Sequence, residues 1–202
     1  ALVEDATEAL GSEFMGRHVG TSGIASVVSF NGNKIMTTGG GGAILTNDGE
    51  LAARAKHLTT TAKVPHPYEY VHDELGYNYR MPNINAAMGC AQLEQMDSVL
   101  QRKRRLAAAY AQVFAALDGV QFFHEPADCH SNYWLNAILL ETDAADERNA
   151  VLEHLNAAAI YVRPVWQLLS ELPMYANCSA APLQNARSIA ARLVNIPSSA
   201  SL

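Results

Sequence analysis

Lys34 is the residue of this sequence whose setting most suggests chemistry. It lies in a turn rich in Gly and Asn between two apolar stretches, and four consecutive glycines follow it at 39–42. A lysine amine becomes a useful nucleophile toward carbonyl carbons when it is desolvated or placed near another cation. The alternative is that Lys34 is simply an exposed cation of a loop. The residues near it in the sequence help to distinguish a nucleophile from an exposed cation.

Two polar residues near Lys34 favour the chemical interpretation. Ser29 lies five residues before it, at the end of an apolar run, and Asp5 ends another short apolar segment. Pyridoxal phosphate (PLP) needs a lysine for its Schiff base, an acid that keeps its pyridine nitrogen protonated, and donors around its phosphate. Each part has a candidate here. Since Asp, Ser, Lys and Gly are common residues, composition and spacing leave a PLP site as one hypothesis.

The composition limits the class of protein. The chain has 202 residues, of which 49% are hydrophobic and 17% charged, and a net charge of −6. This is typical of a globular protein of one or two domains. The negative charge argues against a broad nucleic-acid surface. No apolar run approaches the roughly 20 residues of a membrane-spanning helix. We therefore expect a cytoplasmic protein without nucleic-acid or membrane partners, and the three scattered cysteines suit that reducing compartment.

The hydrophobic pattern predicts the elements that position Lys34. The β-branched run 25–30 and the short run 43–46 predict two strands, which place the intervening loop at one end of a sheet. Residues 2–3 predict the end of another strand, followed by a helical turn over 4–11. Asn47 is the predicted N-cap of a helix, with Glu50 at capping-box spacing.

The rest of the chain predicts a helical region and then a small α+β domain. Residues 59–72 read as a loop, and helical spacing runs from the predicted cap Asn83 to Leu117. Beyond residue 105 the pattern alternates between strands and helices: strand 133–140, helix 146–159, strand 160–165 and helix 188–194. Trp134 is predicted to be a core residue of its strand, with a role in lining a sugar pocket as the alternative.

A series of ordered motifs resembles the DegT/StrS-type nucleotide-sugar aminotransferases. The motifs cover residues 3 to about 110, and the resemblance is looser beyond residue 120, where NYWL (132–135) still matches. The matching segments are EDATEALGS (4–12), GRHVGT (16–21), SFNGNK (29–34), TTGGGG (37–42), TND (46–48), GYNYRM (76–81), NAAMG (85–89) and QLE (92–94). The whole chain resembles the C-terminal half of such an enzyme.

The resemblance implies a fold and an assembly. It implies an α/β protein of the PLP-dependent transferase fold type I, in which residues 1–104 are the C-terminal part of the large PLP-binding domain, with an incomplete sheet. Residues 105–202 would be a small C-terminal α+β domain, itself truncated. Members of the family are dimers, so the resemblance also implies a homodimer with shared active sites.

The resemblance assigns cofactor roles to four residues besides Lys34, which would be the Schiff-base lysine and the catalytic proton carrier. Asp5 would pair with the pyridine nitrogen and Ser29 would bind the phosphate. Glu8 matches a position, often Gln or His, that reaches the phenolic oxygen of the cofactor. A carboxylate there departs from the family, because it would repel an oxyanion unless protonated or turned away. Asn78 would reach the phosphate of the neighbouring subunit's cofactor.

The resemblance also indicates a reaction. Arg80 matches an arginine suited to binding the carboxylate of the amino donor, for which glutamate is expected. The family's sugar dehydratases carry His in place of Lys34, so a lysine favours transamination, while Gly40 replaces a common Glu. The sequence most resembles members that aminate C4 of a 4-keto-6-deoxy sugar nucleotide for surface polysaccharides, including sugars of the legionaminic or perosamine type.

The sequence supports two further expectations, one about metals and one about catalysis. His66, His72 and Asp73 lack metal-ligand spacing, so no metal site is expected. The alternative to an enzyme is a non-catalytic truncated remnant or accessory module, since the family's N-terminal half supplies substrate contacts and most of the parallel sheet. Residues 1–202 alone are accordingly expected to bind PLP poorly and not to transaminate.

Overall fold

A computed structural model describes residues 1–141 and 145–202, which form two compact units. The first unit comprises Ala1–Leu100 and Pro126–Trp134, and the second comprises Gln101–Glu125 and Leu135–Leu202. Residues 126–134 thus join the first unit from beyond the predicted domain boundary at residue 104. The assignment of these parts to a large and a small domain of a transferase stays a prediction.

The described residues form short strands and five α-helices. The strands are β1 Val3–Asp5, β2 Glu13–Phe14, β3 Arg17–His18, β4 Ala25–Ser29, β5 Gly42–Leu45, β6 Lys63–Val64, β7 Val71–His72, β8 Val120–Phe122, β9 Cys129–His130, β10 Asn136–Leu140, β11 Arg163–Pro164 and β12 Leu193–Ile196. The helices are α1 Gly49–Thr59, α2 Asn83–Leu93, α3 Met96–Phe114, α4 Ala145–Ala157 and α5 Gln184–Arg192, with 3-10 turns at Leu169–Glu171 and Pro173–Tyr175. No helix among them is both long and apolar enough to cross a bilayer.

The sheet that carries the Lys34 loop has the strand order β1-β4-β5. β1 runs parallel to β4, with Asp5 opposite Val27, and β4 runs antiparallel to β5. The two strands predicted from the β-branched runs are confirmed, and the loop between them joins Ser29 to Gly42. Because parallel strands end at the same edge of a sheet, Asp5, Ser29 and the Lys34 loop share one edge.

The helical turn predicted over residues 4–11 is wrong. Asp5 still belongs to β1, and the next residues form tight turns in which the Ala9 N–H donates to the Ala6 carbonyl. The Asp5 carboxylate accepts the N–H of Thr7 at 3.2 Å. A side chain that bonds the backbone two residues on offers an alternative to helical pairing, which explains the turn.

The helix boundaries also differ from prediction. Asp48, not Asn47, caps α1, because its carboxylate accepts the N–H groups of Glu50 and Leu51. The helical region predicted from Asn83 is divided into α2 and α3. The predicted loop 59–72 contains the hairpin β6–β7.

The second unit contains strands and helices, as the sequence predicts, and its strands pair in an antiparallel sheet. Its strand order is β11-β12-β10-β8, and α5 contacts β10 while α4 contacts β12. Its core includes the buried side chains of Ile138, Val162 and Val194. The strand predicted over 133–140 begins only at Asn136.

Candidate active site

The loop that carries Lys34 is fixed by backbone hydrogen bonds. The N–H of Phe30 donates to the Gly41 carbonyl at 2.9 Å, and the N–H of Thr38 donates to the Phe30 carbonyl at 3.0 Å. These bonds close the loop just beyond the ends of β4 and β5. Lys34 itself has a side chain that is only 13% exposed.

Part of the four-glycine run is explained by this loop closure. Gly41 has a φ of 92°, in the left-handed region that favours glycine. A Cβ at Gly42 would overlap the carbonyl oxygen of Val28 on the neighbouring strand. These two glycines are therefore required by the backbone around Lys34, independently of any ligand.

The amine of Lys34 is contacted from two sides. Its Nζ lies 3.1 Å from Oε1 of Glu8 and 4.2 Å from the centre of the Trp134 ring. The indole N–H of Trp134 donates to the Asn33 carbonyl at 2.6 Å, which holds the ring against the loop. Trp134 lies outside β10, so its predicted place in a strand is wrong, and its contact with Lys34 was not foreseen.

Asn132 links the two partners of Lys34. Its side chain is buried, and its Nδ2 donates to the carbonyls of Glu8 at 2.8 Å and Leu10 at 2.9 Å. Its Oδ1 accepts the N–H of Trp134 at 2.7 Å. Sequence reasoning gave Asn132 no role. The only sequence signal for Asn132 was its place in the matching NYWL segment, two residues before Trp134.

Asp5 presents an ionised carboxylate at the sheet edge. Hydrogen bonds from Thr7 hold the pKa of Asp5 below its usual value, and the positive charge of Lys34 acts in the same direction. The side chain is exposed. A carboxylate with these properties suits the protonated nitrogen of a pyridinium ring.

Glu4, to which sequence reasoning gave no role, holds the turn beside β1. Its carboxylate accepts the N–H groups of Gly20 at 2.9 Å, Ser22 at 2.7 Å and Gly23 at 2.6 Å. These bonds, that from Gly23 first, hold the pKa of Glu4 below its usual value. Glu4 therefore has a structural role in the turn. The neighbouring carboxylate of Asp5 is the one available to contact a ligand.

Ser29 ends β4 at the same sheet edge. Its Oγ accepts the N–H of Asn31 at 3.3 Å. A hydroxyl in that arrangement still has its hydrogen to donate, which is what a phosphate oxygen requires.

Asn78 and Arg80 stand apart from these residues. Both are exposed, and the backbone around Asn78 is tied to the end of α1 through the bridge between Thr60 and Asn78. Within the described residues, neither side chain contacts Lys34. Arg80 instead lines a cavity of about 850 Å³ together with Lys56 and Asn85. The structure therefore brings together Lys34, Glu8 and Asp5, and leaves the other two elsewhere on the first unit.

A cluster of His57, Asp73 and Glu74 has potential metal-ligand atoms within 4.8 Å of one another. His57 Nε2 lies 2.7 Å from Asp73 Oδ1. Both Glu74 oxygens accept hydrogen bonds from the Arg54 guanidinium, which holds the pKa of Glu74 below its usual value. Since a cation already occupies the Glu74 carboxylate, this cluster is an ion-pair network that ties α1 to the segment before residue 77.

The donor set at the sheet edge fits pyridoxal phosphate with one departure. Lys34 supplies an amine, Asp5 an ionised carboxylate and Ser29 a hydroxyl, all at the ends of adjacent elements. Glu8 is the departure, and its carboxylate points to the Lys34 amine. In the structure this carboxylate is therefore turned to the amine and paired with it at 3.1 Å.

Comparisons with known proteins show the family to which this chain is related. The sequence profile of the DegT/DnrJ/EryC1/StrS aminotransferase family matches residues 1–202. GDP-perosamine synthase of Escherichia coli O157:H7 is 42% identical over 202 residues, which are 100% of this chain and 54% of that protein. PseC of Helicobacter pylori, an aminotransferase of pseudaminic acid biosynthesis, superposes with a TM-score of 0.93 at 27% identity, covering 99% of this chain and 54% of PseC.

A further solved structure, determined in a PLP form, shows the same fold. Spr1654 of Streptococcus pneumoniae in its PLP form has a TM-score of 0.89 at 24% identity, over 99% of this chain and 53% of Spr1654. The chain spans about half the length of these relatives, and its α/β fold matches that half of sugar aminotransferase structures. The family is PLP-dependent. The predicted family is confirmed: the chain belongs to the DegT/DnrJ/EryC1/StrS aminotransferase family.

Proposed function

We propose that the complete protein transfers an amino group, from glutamate, to the C4 keto carbon of a 4-keto-6-deoxy sugar nucleotide by means of PLP. The observation that carries the proposal is the contact of Lys34 with Glu8 at the sheet edge that also carries Asp5, whose pKa the positive charge of Lys34 helps to lower. The 42% identity with a GDP-perosamine synthase supports a sugar nucleotide as the substrate. The product would serve surface-polysaccharide synthesis.

Three residues of this chain would hold the cofactor. Asp5, ionised by its Thr7 hydrogen bonds, would keep the proton on the pyridine nitrogen. Ser29 would donate its hydroxyl to the phosphate, and Lys34 would bind the aldehyde carbon through Nζ. PLP, when bound, supplies an electron sink for the carbon that exchanges its amino group. Lys34, once displaced by the amino donor, would carry the proton between the two carbons that exchange it.

We also propose that residues 1–104 are part of the large domain of fold type I and that active sites are shared in a homodimer. Asn78 would reach the partner's cofactor phosphate, and Arg80 the carboxylate of the amino donor. The exposure of both side chains supports a role in a neighbouring subunit's site.

The transfer itself is tested with the complete protein, PLP, glutamate and a 4-keto-6-deoxy sugar nucleotide. Mass spectrometry should detect the 4-amino sugar nucleotide. Lys34→Ala should abolish it because both covalent binding and proton transfer need the amine. Lys63→Ala, a change of another lysine in the first unit, is the matched control and should retain it. Absence of transfer with cofactor bound favours the alternative, a non-catalytic module.

The shared site is tested by complementation. Protomers carrying Lys34→Ala are mixed with protomers carrying Asn78→Ala, each inactive or weak alone. A mixed dimer then has one composite site with both residues intact, so part of the activity should return. Verified mixed dimers that recover no activity would contradict sharing.

A further inference from the structure

The cavity of about 850 Å³ in the first unit is lined by residues of β4, β5, α1 and α2 and of the segment before α2. Most of the side chains in the lining are apolar, among them Val28, Ile44 and Met81. The lining also contains two cationic side chains, Lys56 and Arg80, and no carboxylate from the part of the chain that the structure describes. A group that fills the cavity should therefore be largely apolar and carry negative charge.

Neither of the two cations has a partner among the described residues. The side chains of Lys56 and Arg80 make no hydrogen bond, ion pair or ring contact there. Arg54, on the same helix as Lys56, is in contrast paired with Glu74. The whole chain has a net charge of −6, so carboxylates are not scarce, and yet none is placed at this cavity.

Helix α1, which forms one wall of the cavity, is little buried. It has 11 residues, and none of its side chains is fully buried by the residues that the structure describes. Isolated helices of this length are marginal in water, so most of their stability comes from packing against other elements. Beside it, Ile44 and Leu45 of β5 are 51% and 41% exposed, although both are large and apolar. α1 and β5 thus require a further layer of packing.

The sheet beside the cavity is of a kind that proteins bury. β1 and β4 run parallel, and parallel strands are found almost only in sheets whose two faces are covered. A layer from the same chain suits such a sheet better than a separate partner. The chain spans about half the length of the relatives it matches, so a complete protein of their length has enough further residues to supply this layer.

We propose that a segment of the complete protein outside residues 1–202 fills this cavity with apolar side chains and places a carboxylate on Lys56. Covering the cavity removes water from the Lys56 amine, and a desolvated ammonium needs an anionic partner. The contact is internal to the protein and independent of amino transfer. Arg80 stays available for the role proposed above.

The test is cross-linking of the complete protein with a water-soluble carbodiimide, which joins an amine directly to a carboxylate in contact with it. Mass spectrometry of the digest should identify Lys56 joined to an Asp or Glu of a peptide from outside residues 1–202. The linked protein should run at monomer mass on a denaturing gel, because the contact lies within one chain. Lys56→Arg is the matched control, since it keeps the charge, cannot form the amide and should lose this linked peptide alone.

A second measurement tests the apolar part of the contact. Ile44→Asp should lower the Tm of the complete protein by about 5 °C or more, because the covering segment would bury a charge without a partner. Ile44→Leu is the matched control and should lower the Tm by less than half as much, since leucine has nearly the same volume.

Either of two results would overturn the proposal. The first is a Lys56 that forms no link outside residues 1–202, or one that links only in a product of dimer mass, which would assign the cavity to a second copy of the chain. The second is an Ile44→Asp protein with the same Tm as Ile44→Leu, which would show that the cavity stays open to water. Neither measurement uses cofactor or sugar nucleotide, so amino transfer stands or falls by its own assay.

Discussion

Asn132→Ala should destabilise the first unit and loosen the contacts of Lys34. Asn132 is 3% exposed and makes three side-chain hydrogen bonds, to Glu8, Leu10 and Trp134. Alanine removes all three and leaves two carbonyls and one N–H without these partners.

The expected magnitude follows from those bonds. Each contributes about 0.5–1.5 kcal/mol net, and a group left buried without a partner costs more. Three bonds therefore predict a loss of about 2–4 kcal/mol in the free energy of unfolding. Asn132→Asp keeps the bond accepted from the Trp134 N–H and loses the two bonds donated to Glu8 and Leu10. It should also destabilise the first unit, which would show that the donated bonds contribute.

Urea denaturation of the complete protein, followed by tryptophan fluorescence, measures the loss. The matched control is Asn31→Ala, since Asn31 is exposed and its side chain donates one long bond of 3.4 Å to Asn33. Its effect should lie within about 0.5 kcal/mol. If Asn132→Ala costs no more than Asn31→Ala, Asn132 does not hold Glu8 and Trp134 in place.

Three further outcomes are expected. Because the pKa of Glu4 is lowered in the folded protein, its ionised form stabilises the turn 20–23 at neutral pH. Hydrogen exchange should show that the amides of this turn lose protection as the pH falls below about 4.5. In Glu4→Gln these amides should be less protected already at pH 7. Burial lowers the pKa of Lys103 from 10.5 to about 8, so the unfolded chain binds more protons between these values. The free energy of unfolding should therefore rise by up to about 3 kcal/mol over that range, and Lys103→Met should remove the rise in urea titrations. Gly42→Ala should cost about 2 kcal/mol or more in thermal melting, because its Cβ would overlap the Val28 carbonyl; an unchanged melting temperature would contradict the close approach.

Local sequence patterns predict the part of the site that depends on neighbouring residues. The β-branched run before Ser29 and the run after Gly42 form paired strands, so the loop with Lys34 lies at a sheet edge as expected. This succeeds because strand pairing buries the alternating face of β4, including Val28. The second unit follows from the same kind of alternation.

Long-range contacts are the part that the sequence does not predict. Trp134 reaches Asn33 across 101 positions, and Asn132 reaches Glu8 across 124. No periodicity connects such residues, so Trp134 reads as part of a strand. The helical turn predicted after Asp5 is wrong because the Asp5 carboxylate bonds the N–H of Thr7, and this local turn outweighs the helix propensity of the Ala, Glu and Leu residues that follow.

The central claim is that Lys34 is the residue that binds PLP covalently. The complete protein is incubated with PLP, reduced with borohydride and digested, and the modified peptide is identified by mass spectrometry. The account predicts a phosphopyridoxyl group on Lys34, and its loss in Lys34→Ala with Lys63→Ala unaffected. A phosphopyridoxyl group on another lysine, with Lys34 unmodified, would contradict it.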